Sequence, residues 1–302
     1  MSEETSQTEQ QFKAGYAALV GRPNVGKSTL MNVLLHQKIS ITTPKPQTTR
    51  HRVLGILTRD SSQTIFLDTP GLIDPRYELQ RYMVGQIHQS IADADIAVIM
   101  VEVTDPKLPD ELINGIKQQG VPCLLVLNKC DLIRRNDALP VIEAFYEQQI
   151  FDEIIPISAL RAEGIDELEK TIEQYLPYHP PYYPPDIVSE QPERFFVAEL
   201  IREQIFIRYA QEVPYSTTVH ILEFKEQEGR KDVIRAEIIV DRESQKPILI
   251  GKGGKKLKEL GTAAREQIEL FLERPVYLEL FVKARDKWRD DEKWLRRLGY
   301  HE

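Results

Sequence analysis

GRPNVGKS, from Gly21 to Ser28, stands between an apolar run, Tyr16 to Val20, and a stretch with Leu30, Met31, Leu34 and Leu35 at helical spacing. A buried strand, a glycine loop and a helix in that order form a phosphate-binding unit. Gly21 and Gly26 let the backbone turn so that successive N–H groups face an anion, where a Cβ would intrude. The helix beginning near Ser28 adds the positive end of its dipole. Lys27 is a point charge for β- and γ-phosphates, and the Ser28 hydroxyl is a magnesium ligand. Asn24, Val25 and Thr29 belong to the same nucleotide-facing set. The unit predicts an α/β domain with a mostly parallel central sheet and helices on both faces.

The next element outward is DTPG, Asp68 to Gly71, after the apolar run Thr64 to Leu67. Asp68 would project from a strand tip to hold magnesium, and the Gly71 N–H would meet the γ-phosphate. Between the two motifs lies the polar segment Ser40 to Arg50, with Thr42, Thr43, Thr48 and Thr49. Such a loop can lend a hydroxyl to magnesium and loosen when the γ-phosphate leaves. Thr49 is the expected ligand and Thr48 the second choice. Lys27, Thr49 and Gly71 are thus the candidate catalytic groups, and Ser28, Thr49 and Asp68 the candidate metal ligands.

The base is read further on. Cys123 to Leu127 is a continuous apolar run suited to a strand buried on both faces, followed by Asn128, Lys129, Cys130 and Asp131. A carboxylate only accepts hydrogen bonds, so Asp131 suits the paired N–H donors of guanine's Watson–Crick edge. Adenine would face it with a lone pair, a mismatch worth roughly 10⁴-fold. Asn128 would fix neighbouring loops and the purine N7 side, and the Lys129 stem could cover the ring face. Ser158, Ala159 and Leu160, after the short strand Ile154 to Ile157, would bring a backbone N–H to the guanine oxygen.

These motifs make the first half resemble a small GTPase of the translation-factor-related class. GRPNVGKSTLMN, PQTTRHRVLGI, FLDTPG, NKCDLI and SAL, with the C-terminal pieces below, extend the resemblance from about Tyr16 to Tyr300. Over that length the chain resembles the Era family, bacterial GTPases of small-subunit ribosome assembly. Pro46, ahead of the threonine pair, is a small departure from that pattern. Leu72 follows DTPG, where a glutamine would orient the attacking water, so slow intrinsic turnover is expected. Asn24 matches an asparagine that in related GTPases helps to hold an activating potassium ion. The cofactors expected are therefore Mg2+ and, through that resemblance, K+.

At 302 residues the chain can hold two domains, each with its own core. Its two cysteines, Cys123 and Cys130, build no disulfide scaffold and fit a reducing cytoplasm. MSEETSQTEQQ at the N-terminus reads as an acidic tail, not a signal peptide. The longest apolar run, Ile96 to Val101, is too short to span a bilayer. Prolines 177, 180, 181, 184, 185 and 192, interleaved with Tyr178, Tyr182 and Tyr183, mark an extended spacer. The expected layout is a tail over 1–13, a GTPase domain over 14–176, a linker over 177–192 and a second domain over 193–302.

The net charge of −8 misleads. Residues 193–302 carry 22 Lys+Arg against 21 Asp+Glu, a net of +1, which leaves −9 for the rest. Lys246, Lys252, Lys255, Lys256 and Lys258 cluster with no acid among them. The pattern there is helix (Glu193 to Tyr209), strand (Ser216 to Lys225), strand (Val233 to Val240), helix pair (Lys246 to Glu273) and strand (Val276 to Val282). Within the pair, Ile250 leads into Gly251-Lys252-Gly253-Gly254, a G-x-x-G loop of the kind that clamps about four single-stranded nucleotides in KH domains. The order α-β-β-α-α-β resembles the bacterial, type II KH domain. Ile250 to Lys256 and Lys258 are the expected RNA contacts, and Ile248, Leu249, Ile250 and Leu257 the expected groove wall. The last stretch, Lys283 to Gly299 with Trp288 and Trp294, reads as an amphipathic helix packed on this fold. Arg285, Lys287 and Arg289 could add phosphate contacts.

The Era resemblance implies that the RNA is the 3′ end of small-subunit ribosomal RNA and that the assembling 30S subunit is the partner. It implies a cytoplasmic, monomeric protein that does not bind DNA. The lysine-rich face could also meet anionic lipid on the cytoplasmic side of the cell membrane. Three other readings are weaker. A tRNA-modification GTPase would need a further catalytic module, a membrane regulator needs no G-x-x-G loop, and an ATP-using kinase does not need Asp131.

Overall fold

The computed structural model describes residues 12–109, 112, 113, 115 and 119–301. Residues 1–11 of the expected tail lie outside the described residues. The first strand already begins at Lys13, one residue inside the stretch read as tail.

Six strands form the first sheet: β1 (Lys13–Gly21), β2 (Val53–Thr58), β3 (Ser62–Asp68), β4 (Ile96–Glu102), β5 (Cys123–Asn128) and β6 (Glu153–Pro156). Their order is β2-β3-β1-β4-β5-β6, with only β2 antiparallel to its neighbour. The central strands are apolar without interruption because helices cover both faces. Successive residues therefore feed two cores. Ala17, Leu19, Val98 and Val126 face the helices Lys27–Leu34 and Ile165–Tyr175, and Ala18, Val20, Ile99 and Leu125 face the helix Glu78–Asp93. Register brings Gly21, Asp68 and Asn128 to the same carboxyl edge, which is where an open α/β sheet presents ligands.

The proline-rich segment is extended, as its composition predicts, but it is no free spacer. Tyr178 bridges to Lys13, the Ile56 amide donates to Val188 O at 2.8 Å, and Ser189 Oγ donates to Leu54 O at 2.6 Å. Gln63, wholly buried in β3, takes the amides of Tyr182 and Tyr183 on its Oε1 and donates to Tyr183 O. A buried carboxamide must find such partners. The segment is thereby strapped along the outer strand β2.

In the second domain, the helix Glu193–Arg208 leads into β7 (Thr217–Lys225) and β8 (Asp232–Val240), then the helices Lys246–Ile250 and Lys255–Leu272, then β9 (Val276–Ala284). The sheet order is β7-β8-β9, antiparallel then parallel. Val197, Ile201, Ile205, Ile238, Leu260 and Ile268 fill its core. The last stretch is a turn at Trp288–Asp290 and a short helix, Glu292–Arg297, rather than one long amphipathic helix. It packs on both domains, since Trp288 is fully buried with Ile239 and Tyr300 against Leu79 and Met83. Arg285 lies over the Trp294 ring and Arg289 pairs with Asp241, so both are engaged in packing. No helix among the described residues is long and apolar enough to cross a membrane.

Candidate functional site

The glycine loop ends at Gly26, whose φ of 103° and ψ of 20° no L side chain adopts readily, and the helix follows at Lys27. The Lys27 ammonium is buried and turns back on the loop, donating to Gly21 O at 3.0 Å and Arg22 O at 3.1 Å. Burial lowers its pKa to about 8, against the pull of Asp68, because the charged form is poorly solvated there. Asp68 ends β3 with no exposure at all. Its Oδ2 accepts from Ser28 Oγ at 2.7 Å, and Ser28 Oγ lies 2.9 Å from Thr49 Oγ1. Burial raises the Asp68 carboxyl, opposed by the Ser28 bond and by Lys27.

Asp68 Oδ1 is buried without a hydrogen-bond partner among the described residues. An orphaned carboxylate oxygen beside two hydroxyls is a hard-oxygen donor set that fits magnesium. Thr49 and not Thr48 stands at this cluster, because Thr48 Oγ1 is tied within its own loop to Thr43 Oγ1 and Lys45 O. Asn24, Gly26, Lys27, Thr29 and Gly71 line the adjoining cavity of about 400 Å³. Gly71 presses on the loop, since a Cβ there would come within 2.6 Å of Pro23 Cα, and the Leu72 amide donates to Gly21 O at 3.1 Å. Leu72 itself packs into the core.

At the base end, Asn128 binds two loops together. Its Nδ2 donates to Val25 O at 2.7 Å and its Oδ1 accepts the Ala159 amide at 2.9 Å. Its loop-fixing role is as the sequence suggests. Asn128 Oδ1 and the Ala159 amide are thus engaged with each other, while Nδ2 keeps a second N–H besides the one given to Val25 O. The Ser158 amide donates to Glu163 O at 3.0 Å. Asp131 Oδ1 accepts from Ser158 Oγ at 2.6 Å, and Arg161 Nε is 4.0 Å from Oδ2.

Sequence reading missed Glu102. It ends β4 opposite Asn128, lines the cavity, and accepts from Lys129 Nζ at 2.5 Å and Thr104 Oγ1 at 2.6 Å. The Lys129 bond, with that of Thr104, holds its carboxyl below the usual range. The available signal was an acidic residue closing the apolar run before Val103.

In the second domain the G-x-x-G loop projects outward. Lys252, Lys255, Lys256 and Lys258 are exposed, and around Gly253 (φ 59°) and Gly254 a Cβ would meet no atom within 4 Å. A groove of about 390 Å³ runs from Gly254 past Leu257, Lys258 and Gly261 to Leu278 and Leu280 of β9. The expected wall was partly wrong. Leu249 is wholly buried and Ile248 points outward, because five residues of helix turn one side to the core. Leu257 does line the groove. Leu278 and Leu280, from the far end of the chain, were not foreseen.

A glycine loop, a buried Lys–Asp–Ser cluster and an acceptor-only base site on one domain, with a G-x-x-G groove on the next, define a P-loop GTPase joined to a KH domain. A family model described as 50S ribosome-binding GTPase matches residues 16–129, and a KH domain model matches residues 212–289. The GTPase Era of Syntrophus aciditrophicus (strain SB) is 46% identical over 96% of this chain and 96% of its own. GTPase ERA1, chloroplastic, of Zea mays is 45% identical, over 95% of this chain and 70% of its own. Crystalline Era in complex with MgGDPNP and nucleotides 1506–1542 of 16S ribosomal RNA matches with a TM-score of 0.93 and 44% identity, over 96% of this chain and all of that one. A single-substitution variant of Aquifex aeolicus Era bound to GDP·AlF4− matches equally well. The chain belongs to the Era family of GTPases.

Proposed function

We propose that this chain is a magnesium-dependent GTP switch that binds the single-stranded 3′ end of small-subunit ribosomal RNA and assists assembly of that subunit. The convergence of Ser28, Thr49 and the unpartnered Asp68 oxygen beside buried Lys27 carries the reading. Similarity to Era solved with MgGDPNP and a 16S segment supports the same ligand set here. Magnesium, when bound, neutralises developing phosphate charge. Gly21, Asn24, Val25, Gly26, Thr29 and Gly71 then shape the phosphate cradle and Lys27 neutralises it. Asp131 reads the guanine edge, Lys129 covers the ring, Asn128 ties the neighbouring loops on the purine N7 side, and the Ser158-Ala159-Leu160 backbone meets the guanine oxygen. Ile250 and the G-x-x-G loop with Lys252, Lys255, Lys256 and Lys258 take the RNA backbone. The division of labour is a GTPase domain over 14–176, a linker over 177–192 and a KH domain over 193–302.

Calorimetry of the purified chain with GTP, GDP and ATP tests the first half, and equal uptake of ATP and GTP would sink it. The second half is tested by affinity for the 16S 1506–1542 segment with GDP, with a GTP analogue and with no nucleotide. Three equal values would remove the switch. Two finer readings belong to the same proposal. Potassium held through Asn24 should speed hydrolysis relative to sodium, and the exposed lysines should give weak, salt-sensitive binding to anionic vesicles. The active form is a cytoplasmic monomer.

A further inference from the structure

The loop that carries Thr49 does not stand free, because the second domain grips it at both ends. Glu203, on the helix Glu193–Arg208, is a carboxylate only 3% exposed, and both of its oxygens serve the loop. Oε1 accepts the Thr42 amide at 3.0 Å, and Oε2 accepts from Lys38 Nζ at 2.6 Å. Arg50, immediately after Thr49 and 2% exposed, donates to Thr217 O at 2.8 Å, Pro214 O at 3.0 Å and Tyr215 O at 3.2 Å. Between these grips, Lys45 Nζ donates to Phe206 O and Tyr209 O, where the helix ends and its carbonyls carry partial negative charge. Ile41 is buried in the second domain's apolar core, not in that of its own.

A buried charge with all its partners on another domain fixes geometry more than it adds stability. We infer that the helix Glu193–Arg208 is a positioning element for nucleotide hydrolysis, with Glu203 and Arg50 as the contacts that hold Thr49 against Ser28 and Asp68. The inference rests on the GTP reading above and assigns part of the phosphate site's support to the RNA-binding domain. Thr49 meets Ser28 Oγ at 2.9 Å, in the cluster whose magnesium would bridge to the γ-phosphate. Loss of either grip should therefore weaken the triphosphate state and leave diphosphate binding alone. A shift of about an ångström at such a group can lower turnover by roughly 10²-fold.

The test uses the full chain. Affinities for GDP and for a non-hydrolysable GTP analogue are measured by calorimetry in magnesium, and single-turnover hydrolysis is measured alongside. Glu203→Gln and Arg50→Met should each weaken the analogue and slow hydrolysis by roughly 10- to 100-fold. GDP affinity should stay within about twofold, a selectivity that general loosening would not produce. Ile207→Ala, on the exposed side of the same helix, should change nothing. Lys45→Met, at a half-buried position, carries the test if either buried variant fails to fold. An unchanged ratio of analogue to GDP affinity with unchanged turnover in the folded variants, or an equal loss for both nucleotides, overturns the inference. If the wild-type chain takes up no GTP, the GTP reading itself has failed, which is a separate result.

Discussion

The two glycine loops of this chain solve opposite problems. In the first, the protein itself excludes side chains. A Cβ at Gly21 would sit 2.4 Å from Met100 O, and one at Gly26 would sit 2.3 Å from Asn128 Nδ2. In the second, Gly251 is closed by the helix that follows it, with a Cβ 2.7 Å from Lys256 Cγ, but Gly253 and Gly254 face open space. The first loop is held in place by contacts with the neighbouring strands β4 and β5. Around these two glycines the second loop is open to solvent. Preorganisation of the first kind lowers the ordering cost of binding, and a substitution there damages the scaffold as well as the site.

The comparison can be broken most directly at Gly26. Gly26→Ala must push Asn128 away from Val25 O and Ala159, and it places a side chain at φ 103°. GTP affinity in calorimetry should fall by roughly 10³-fold, with about 1–3 kcal/mol lost in denaturant unfolding. A variant of full stability and affinity would show the first loop to be as open as the second.

Gly253→Asp is the counterpart. Aspartate tolerates a left-handed backbone, so the melting temperature should hardly move. Affinity for the 16S segment should drop by roughly 10²-fold, because the carboxylate would repel the phosphates, while GTP hydrolysis persists. Unfolding of this variant would erase the distinction between the loops.

The cations differ in the same sense. Lys27 is buried and its pKa is lowered to about 8, whereas the lysines of the second loop are exposed. Above pH 8 the empty site loses its proton, and nucleotide phosphates would restore it. Binding then takes up a proton. GTP affinity should fall by up to about tenfold per pH unit from 8 toward the ordinary lysine value of 10.5. Calorimetry at pH 9 in two buffers of different ionisation heat should show uptake of about one proton, and zero uptake would contradict the burial argument. The smallest expected effect is in salt. Lys252→Ala and Lys255→Ala should each flatten the log–log salt slope of RNA binding by roughly 0.7. A fall in affinity with no change of slope would mean that they act through folding.

Most of the architecture can be read in the sequence because it rests on local signals. Continuous apolar runs marked β1, β4 and β5, and glycine spacing marked both loops. Thr49 could be preferred to its neighbour, but only the Thr48–Thr43 bond gives the reason. What could not be read is pairing between distant segments. Periodicity shows that Glu203 and Arg50 lie on helix and loop, but it does not show that each is buried by the other domain. Glu102 was hidden for a similar reason, since its meaning comes from the strand beside it. Leu278 and Leu280 complete a groove begun by Leu257, and no short-range pattern links positions so far apart. The proline cluster was read from its stiffness, whereas its docking depends on Gln63, a buried carboxamide near the start of β3.

That docking has a consequence for dissection of the molecule. β2 is an outer strand with a row of main-chain groups that would otherwise invite pairing with another polypeptide. Val188 and Ser189 cover part of that row. A fragment cut at Leu176 would leave the margin bare and should self-associate on concentration. One that continues through Ser189 should remain dispersed, so the stretch between the domains also serves as a guard against fibre-like growth.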